Sequence, residues 1–122
     1  MAGTGIDALE KLEVWKRGCR LAVELYKALE QCRDYGFKDQ ITRSALSVPS
    51  NVAEGFERDS PREFCRFLKI AKGSCGELRT QLYIAVETGF LARDLASSMI
   101  REATEISRML RGLIKHYEEV SA

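Results

Sequence analysis

Apolar residues recur along this chain at alternating intervals of four and three, the spacing that lines side chains along one face of an α-helix. A first stripe runs Ala8, Leu12, Trp15, Cys19, Ala22, Tyr26, Leu29, and a second Phe37, Ile41, Ala45, Val48, Val52, Phe56. A third runs Phe64, Leu68, Ala71, Cys75, Leu78, Leu82, Ala85, and a fourth Ala96, Met99, Ala103, Ile106, Leu110, Leu113, Tyr117. Punctuation falls between them. Gly36 is placed at the end of the connection into the second segment. Ser60-Pro61-Arg62-Glu63 supplies an N-cap serine, a proline for the first helical position and a glutamate for a capping box. Gly89 stands where a C-cap glycine belongs. Three helices of roughly 25 residues, each about 38 Å long, and one shorter helix are expected. Short connections make neighbours antiparallel, so the expected fold is all-α: an up-and-down four-helix bundle forming a single domain over residues 1–122.

Two features complicate the pattern. Pro49 lies inside the second stripe, where it removes a backbone donor and crowds the preceding turn. The helix either bends there or breaks and restarts with Ser47 as N-cap; the unbroken phase of the stripe favours a bend. The first segment also carries a second apolar set, Val14, Gly18, Leu21, Leu25, Ala28 and Cys32, read as lying opposite the first. A face that an isolated bundle would leave in water suggests a contact between subunits. Gly73, Gly76, Thr80 and Ile84 form a comparable groove behind the third stripe. A homo-oligomer is therefore expected, with Val14, Gly18, Leu21, Leu25, Ala28, Gly73, Gly76 and Ile84 at its interface.

Composition narrows the classes. The 122 residues are 45% hydrophobic and 30% charged, which suits one folded domain rather than a disordered chain. A net charge of +1 means that any attraction for nucleic acid must come from clustered cations. No secretory leader or membrane-length apolar run is read in the chain, so a cytoplasmic protein with reduced thiols at Cys19, Cys32, Cys65 and Cys75 is expected. Cys19 and Cys75 take core positions, whereas Cys32 and Cys65 lie off the stripes.

Catalytic chemistry finds little support. His116 is the single histidine, no CxxC spacing occurs, and the glutamates lack the histidine partners of a di-iron bundle. Gly73-Ser74-Cys75-Gly76 sits mid-helix without the lysine and strand of a phosphate loop. No enzyme activity, cofactor or metal is expected. The second segment does hold a polar cluster, with Arg43, Ser47, Asn51 and Glu54 beside the Val48 and Val52 stripe. Such groups either form a hydrogen-bond network around the backbone freed by Pro49, or present a site to a ligand or partner.

The run Gln40 to Phe56, with its Ser47-Val48-Pro49-Ser50-Asn51-Val52-Ala53-Glu54-Gly55 core, resembles the signature of the four-helix bundle proteins encoded by intervening sequences of bacterial 23S ribosomal RNA genes. Phe64 to Ser74, Glu77-Leu78, Gln81-Leu82, Trp15, Leu21 to Tyr26 and Thr88-Gly89-Phe90-Leu91 extend the similarity over nearly the whole chain. The resemblance implies a homo-oligomeric bundle, often a ring-like pentamer. A related branch, the accessory variability proteins of diversity-generating retroelements, binds nucleic acid and a partner reverse transcriptase through a basic surface. The near-neutral charge of this chain departs from that branch.

Two roles follow. The first is a non-enzymatic oligomeric scaffold that binds RNA or DNA, or a nucleic-acid enzyme such as a reverse transcriptase. Its contact residues would be Arg62, Arg66 and Lys69 behind the third stripe and Arg101, Arg108, Arg111 and Lys115 behind the fourth. The alternative is a protein–protein interaction module with no nucleic-acid role.

Overall fold

The computed structural model describes residue 9 and residues 12–121. Four helices fill the described chain: α1, Glu13–Ala28; α2, Tyr35–Glu57; α3, Pro61–Glu87; and α4, Arg93–Ser121. α1 packs on α2 and α4, α2 on α3 and α3 on α4, whereas the diagonal pairs make no close approach. This is the up-and-down order that short connections impose.

Local chemistry explains the boundaries. Asp34 caps α2 by accepting from the Phe37 amide at 3.1 Å, so Gly36 falls in the first turn of α2 rather than ending the connection. Ser60 accepts from the Glu63 amide at 3.3 Å and Pro61 opens α3. The described bonds of the Glu63 carboxylate go to arginines, so the capping box is half made. Gly89 adopts φ +81°, and the Phe90 and Gly89 amides donate to the carbonyls of Ala85 and Val86, a Schellman end. α2 runs uninterrupted through Pro49, which excludes a restart at Ser47.

The core holds Leu25, Leu29, Ile41, Val52, Leu68, Leu82, Ile106 and Leu110 fully buried, with Leu78 at 1% exposure. Phe37 stacks near Phe90 at 5.1 Å at one end, and Phe64 meets Tyr117 at 4.8 Å at the other.

The first stripe is only partly core. Ala8 lies outside the described residues. Trp15 and Cys19 are half-buried and Tyr26 is 44% exposed. The inward face is instead the other set: Val14, Gly18, Leu21 and Leu25 are buried within the single chain. This corrects the expected subunit interface, because Leu25, at 0% exposure, is not available to a second copy. Ala28 is half-buried in the same chain. The two sets differ by one residue in register, which separates them by about 100° rather than placing them opposite. Together they form one wide apolar surface, the inner part in the core and the outer part against α2. Gly18 decides the orientation: a Cβ there would stand 3.3 Å from Pro49 Cβ, so the glycine lets α1 close on the ring of Pro49.

Candidate nucleic-acid interface

The polar run of α2 proves to be joinery between helices. Ser47 Oγ and Ser74 Oγ lie 2.7 Å apart, and Asn51 Nδ2 donates to both the Ser47 carbonyl and Ser47 Oγ at 2.8 Å. Ser74 Oγ also lies 3.2 Å from the Ile70 carbonyl oxygen. These bonds tie half-buried Ser47 and Asn51 of α2 to buried Ser74 of α3, so that the polar groups satisfy one another. Arg43 and Glu54 are not members: Arg43 pairs with Asp39 at 3.0 Å and Glu54 with Arg58 at 3.1 Å, both on the exposed side of α2. The carbonyl freed by Pro49 belongs to Ala45, four residues back, and Asn51 bonds Ser47 instead. Beside this joint Gly55 is buried, and a Cβ there would stand 2.6 Å from Phe67 Cβ. The serine-proline-asparagine-glycine run therefore sets how closely α2 approaches both neighbours. Gly55 and Ser74 are the contributors that periodicity alone did not single out, and Gly18, placed by periodicity at a subunit contact, instead meets Pro49 within the chain.

The seven cations proposed for nucleic acid are all exposed, but their surroundings differ. On α3, Arg66 makes a two-bond pair with Glu63 at 3.1 and 3.3 Å, and Lys69 reaches Glu118 of α4 at 2.9 Å. The bond from Arg66 holds the Glu63 carboxyl below its ordinary range, and Glu118 raises the Lys69 ammonium. Arg66 and Arg58 also flank the Phe67 ring, at 4.5 and 5.1 Å. Of the α3 set only Arg62 has no carboxylate within ion-pair distance among the described residues. On α4 the balance reverses: Arg108 pairs with Glu105 at 3.3 Å, while Arg101, Arg111 and Lys115 have no such partner among the described residues.

Two further cations join from α3. Arg79 Nη1 donates to Thr104 Oγ1 of α4 at 3.5 Å, one turn from both Arg101 and Arg108, and its buried Nε has no hydrogen-bond partner among the described residues. Lys72 is exposed two turns earlier and has no ion-pair partner among the described residues. Their heptad positions border the α3–α4 seam, which a stripe-by-stripe reading treats as neither core nor outer face.

Trp15, Val23, Tyr26, Leu46, Pro49 and Ala53 line an open groove of about 550 Å³ between α1 and α2. Gly73 and Gly76 of α3 have open space where a Cβ would stand, so no contact among the described residues requires either glycine. Each costs about 1 kcal/mol relative to alanine in a helix. Cys65 is buried against the Ile114 carbonyl, correcting its placement off the core, and burial pushes the Cys75 thiol up to about 11. Cys19 is half-buried, not core, and desolvation raises its thiol too. Among the described residues no three metal-ligating side chains gather. No helix of the described residues is long and apolar enough to cross a membrane.

Known proteins share this architecture. A crystal structure of a protein with unknown function from the S23 ribosomal protein family of Bacteroides thetaiotaomicron matches with a TM-score of 0.77 and 27% identity. The match covers 84% of this chain and 98% of that one. No curated protein matches the sequence. Residues 10–112 fit the sequence profile of the 23S rRNA-intervening sequence proteins, which spans the described bundle from its first helix into the last third of α4. With the profile and the fold in agreement, the chain belongs to the 23S rRNA-intervening sequence protein family.

Proposed function

We propose that the chain is a non-enzymatic, homo-oligomeric scaffold that binds the phosphate backbone of RNA or DNA along the outer face of α4. What carries this proposal is the distribution of unpaired cations. Arg101, Arg111 and Lys115 stand exposed without carboxylate partners among the described residues, whereas Arg66 and Lys69 of α3 are already paired. From Arg101 to Lys115 the ridge spans about 21 Å at 1.5 Å per residue. A ridge of arginine and lysine on a rigid helix meets phosphates without reading bases, and repetition around an oligomer multiplies weak contacts. The pentamer that the family resemblance implies would repeat the ridge five times.

The test compares two triple variants for binding to a fluorescent duplex at low salt. Arg101→Gln, Arg111→Gln and Lys115→Gln together should weaken binding strongly. Arg62→Gln, Arg66→Gln and Lys69→Gln should weaken it less, because two of those cations are engaged within the chain. Equal loss in both would argue against α4 as the binding face. No binding by wild type would leave a protein–protein module, a role favoured by the apolar groove between α1 and α2.

A further inference from the structure

Among the described residues nothing fills the groove between α1 and α2. Val23 is 52% exposed, Tyr26 44% and Leu46 43%, three large apolar side chains on one edge of the bundle. Lys27, at its border, has no ion-pair partner among the described residues. The outward face of α3 carries the complement. Ile70 and Ile84 are 41% and 42% exposed, and with Gly73 and Glu77 they fall within about 60° of the helix circumference. Between the two isoleucines Glu77 is the only charge in that sector, and it too lacks an ion-pair partner among the described residues. Gly73 has open space where a Cβ would be, so another element can approach the α3 backbone closely. One surface is an apolar groove with a free cation; the other is an apolar helix face with a free anion and a glycine.

Building on the oligomeric scaffold, we propose that the α3 face of one copy seats in the α1–α2 groove of the next, with Glu77 directed at Lys27. This is a helix laid in a groove, anchored by Ile70 and Ile84. The two surfaces belong to different helices and lie on different sides of the bundle, so each copy can engage two neighbours. Such head-to-tail contacts close into a ring when the rotation permits. The proposal moves the subunit contact from Leu21 and Leu25, which the core consumes, to the apolar side chains left outside.

Val23→Asp and Ile84→Asp separate the two surfaces, and both positions are exposed enough that the monomer should fold, which circular dichroism checks. By light scattering each variant alone should fall to the single-chain mass of 13.8 kDa while wild type is larger. A mixture of the two should give a dimer and nothing bigger, because one intact ridge meets one intact groove. Lys27→Glu should loosen the assembly and Lys27→Glu with Glu77→Lys should restore it. A wild-type monomer at tens of micromolar would overturn both this contact and the oligomeric scaffold. A wild-type assembly that survives either aspartate, or a mixture that stays monomeric, would overturn the contact alone.

Discussion

Gly55→Ala tests the close approach of α2 and α3 at a single atom. The added methyl would lie 2.6 Å from Phe67 Cβ, 3.1 Å from Phe64 Cδ1 and 3.3 Å from Phe64 Cα. Carbon atoms normally rest about 3.5–4.0 Å apart. Phe64 Cα and Phe67 Cβ are fixed to the α3 backbone and cannot rotate away, so the helices themselves must separate, close to the Ser47–Ser74 bond. Overpacking of this kind costs about 1–3 kcal/mol, and so severe an overlap belongs in the upper half of that range. Alanine's better helix propensity returns about 1 kcal/mol. The net expectation is a loss of about 1–2 kcal/mol, read as a lower denaturation midpoint with unchanged slope. Gly112→Ala is the control: it is exposed on α4 with open space around the new methyl, and should gain up to about 1 kcal/mol. Gly55→Ala that matches the control, or stabilises, would refute the assigned helix spacing.

Leu78→Ala, at a position 1% exposed, should cost about 2–5 kcal/mol in the same denaturation assay. Asn51→Ala should cost about 1–3 kcal/mol, because the half-buried Ser47 carbonyl and hydroxyl both lose the Asn51 side-chain amide as a donor. Unchanged stability together with lost partner binding would instead make Asn51 a recognition residue. Arg17 makes a two-bond pair with Glu102 at 2.8 and 2.6 Å, joining α1 to α4 and holding that carboxyl below its ordinary range. A depressed carboxyl stabilises the fold fully above the ordinary glutamate pKa of about 4.3, and that contribution is lost as pH falls through the lower folded value. Wild type should therefore lose more stability than Glu102→Gln between pH 6 and pH 3; parallel curves would show the pair to be inert.

How much of this was legible in the sequence depends on whether the deciding contact is local. The Ser60-Pro61 start and the Gly89 end of α3 were readable because capping chemistry sits within a few residues of its helix. The α3 and α4 stripes were readable because polar residues flank them. The inward face of α1 is not legible in the same way, because its apolar surface spans two registers and the choice between them rests on Gly18 meeting Pro49 of another helix. The polar cluster of α2 divided for the same reason: Asn51 bonds Ser47 directly, and Ser47 reaches Ser74 of α3, 27 residues away, while Arg43 and Glu54 pair only along α2, with partners four residues away. In the charged face the Arg66–Glu63 pair was visible at a spacing of three, but the neutralisation of Lys69 depends on Glu118 of α4.

Salt dependence of wild-type binding to a labelled duplex, compared with Arg101→Gln/Arg111→Gln/Lys115→Gln, tests the central claim most directly. A backbone contact makes log K fall linearly with log salt concentration, at a slope of about −0.9 for each phosphate neutralised. The triple variant should flatten that slope by about one unit per lost contact, up to roughly 3 for each subunit bound, and should melt as wild type does. Binding that ignores salt, a slope the variant leaves unchanged, or no binding at low salt would contradict a phosphate-binding face on α4.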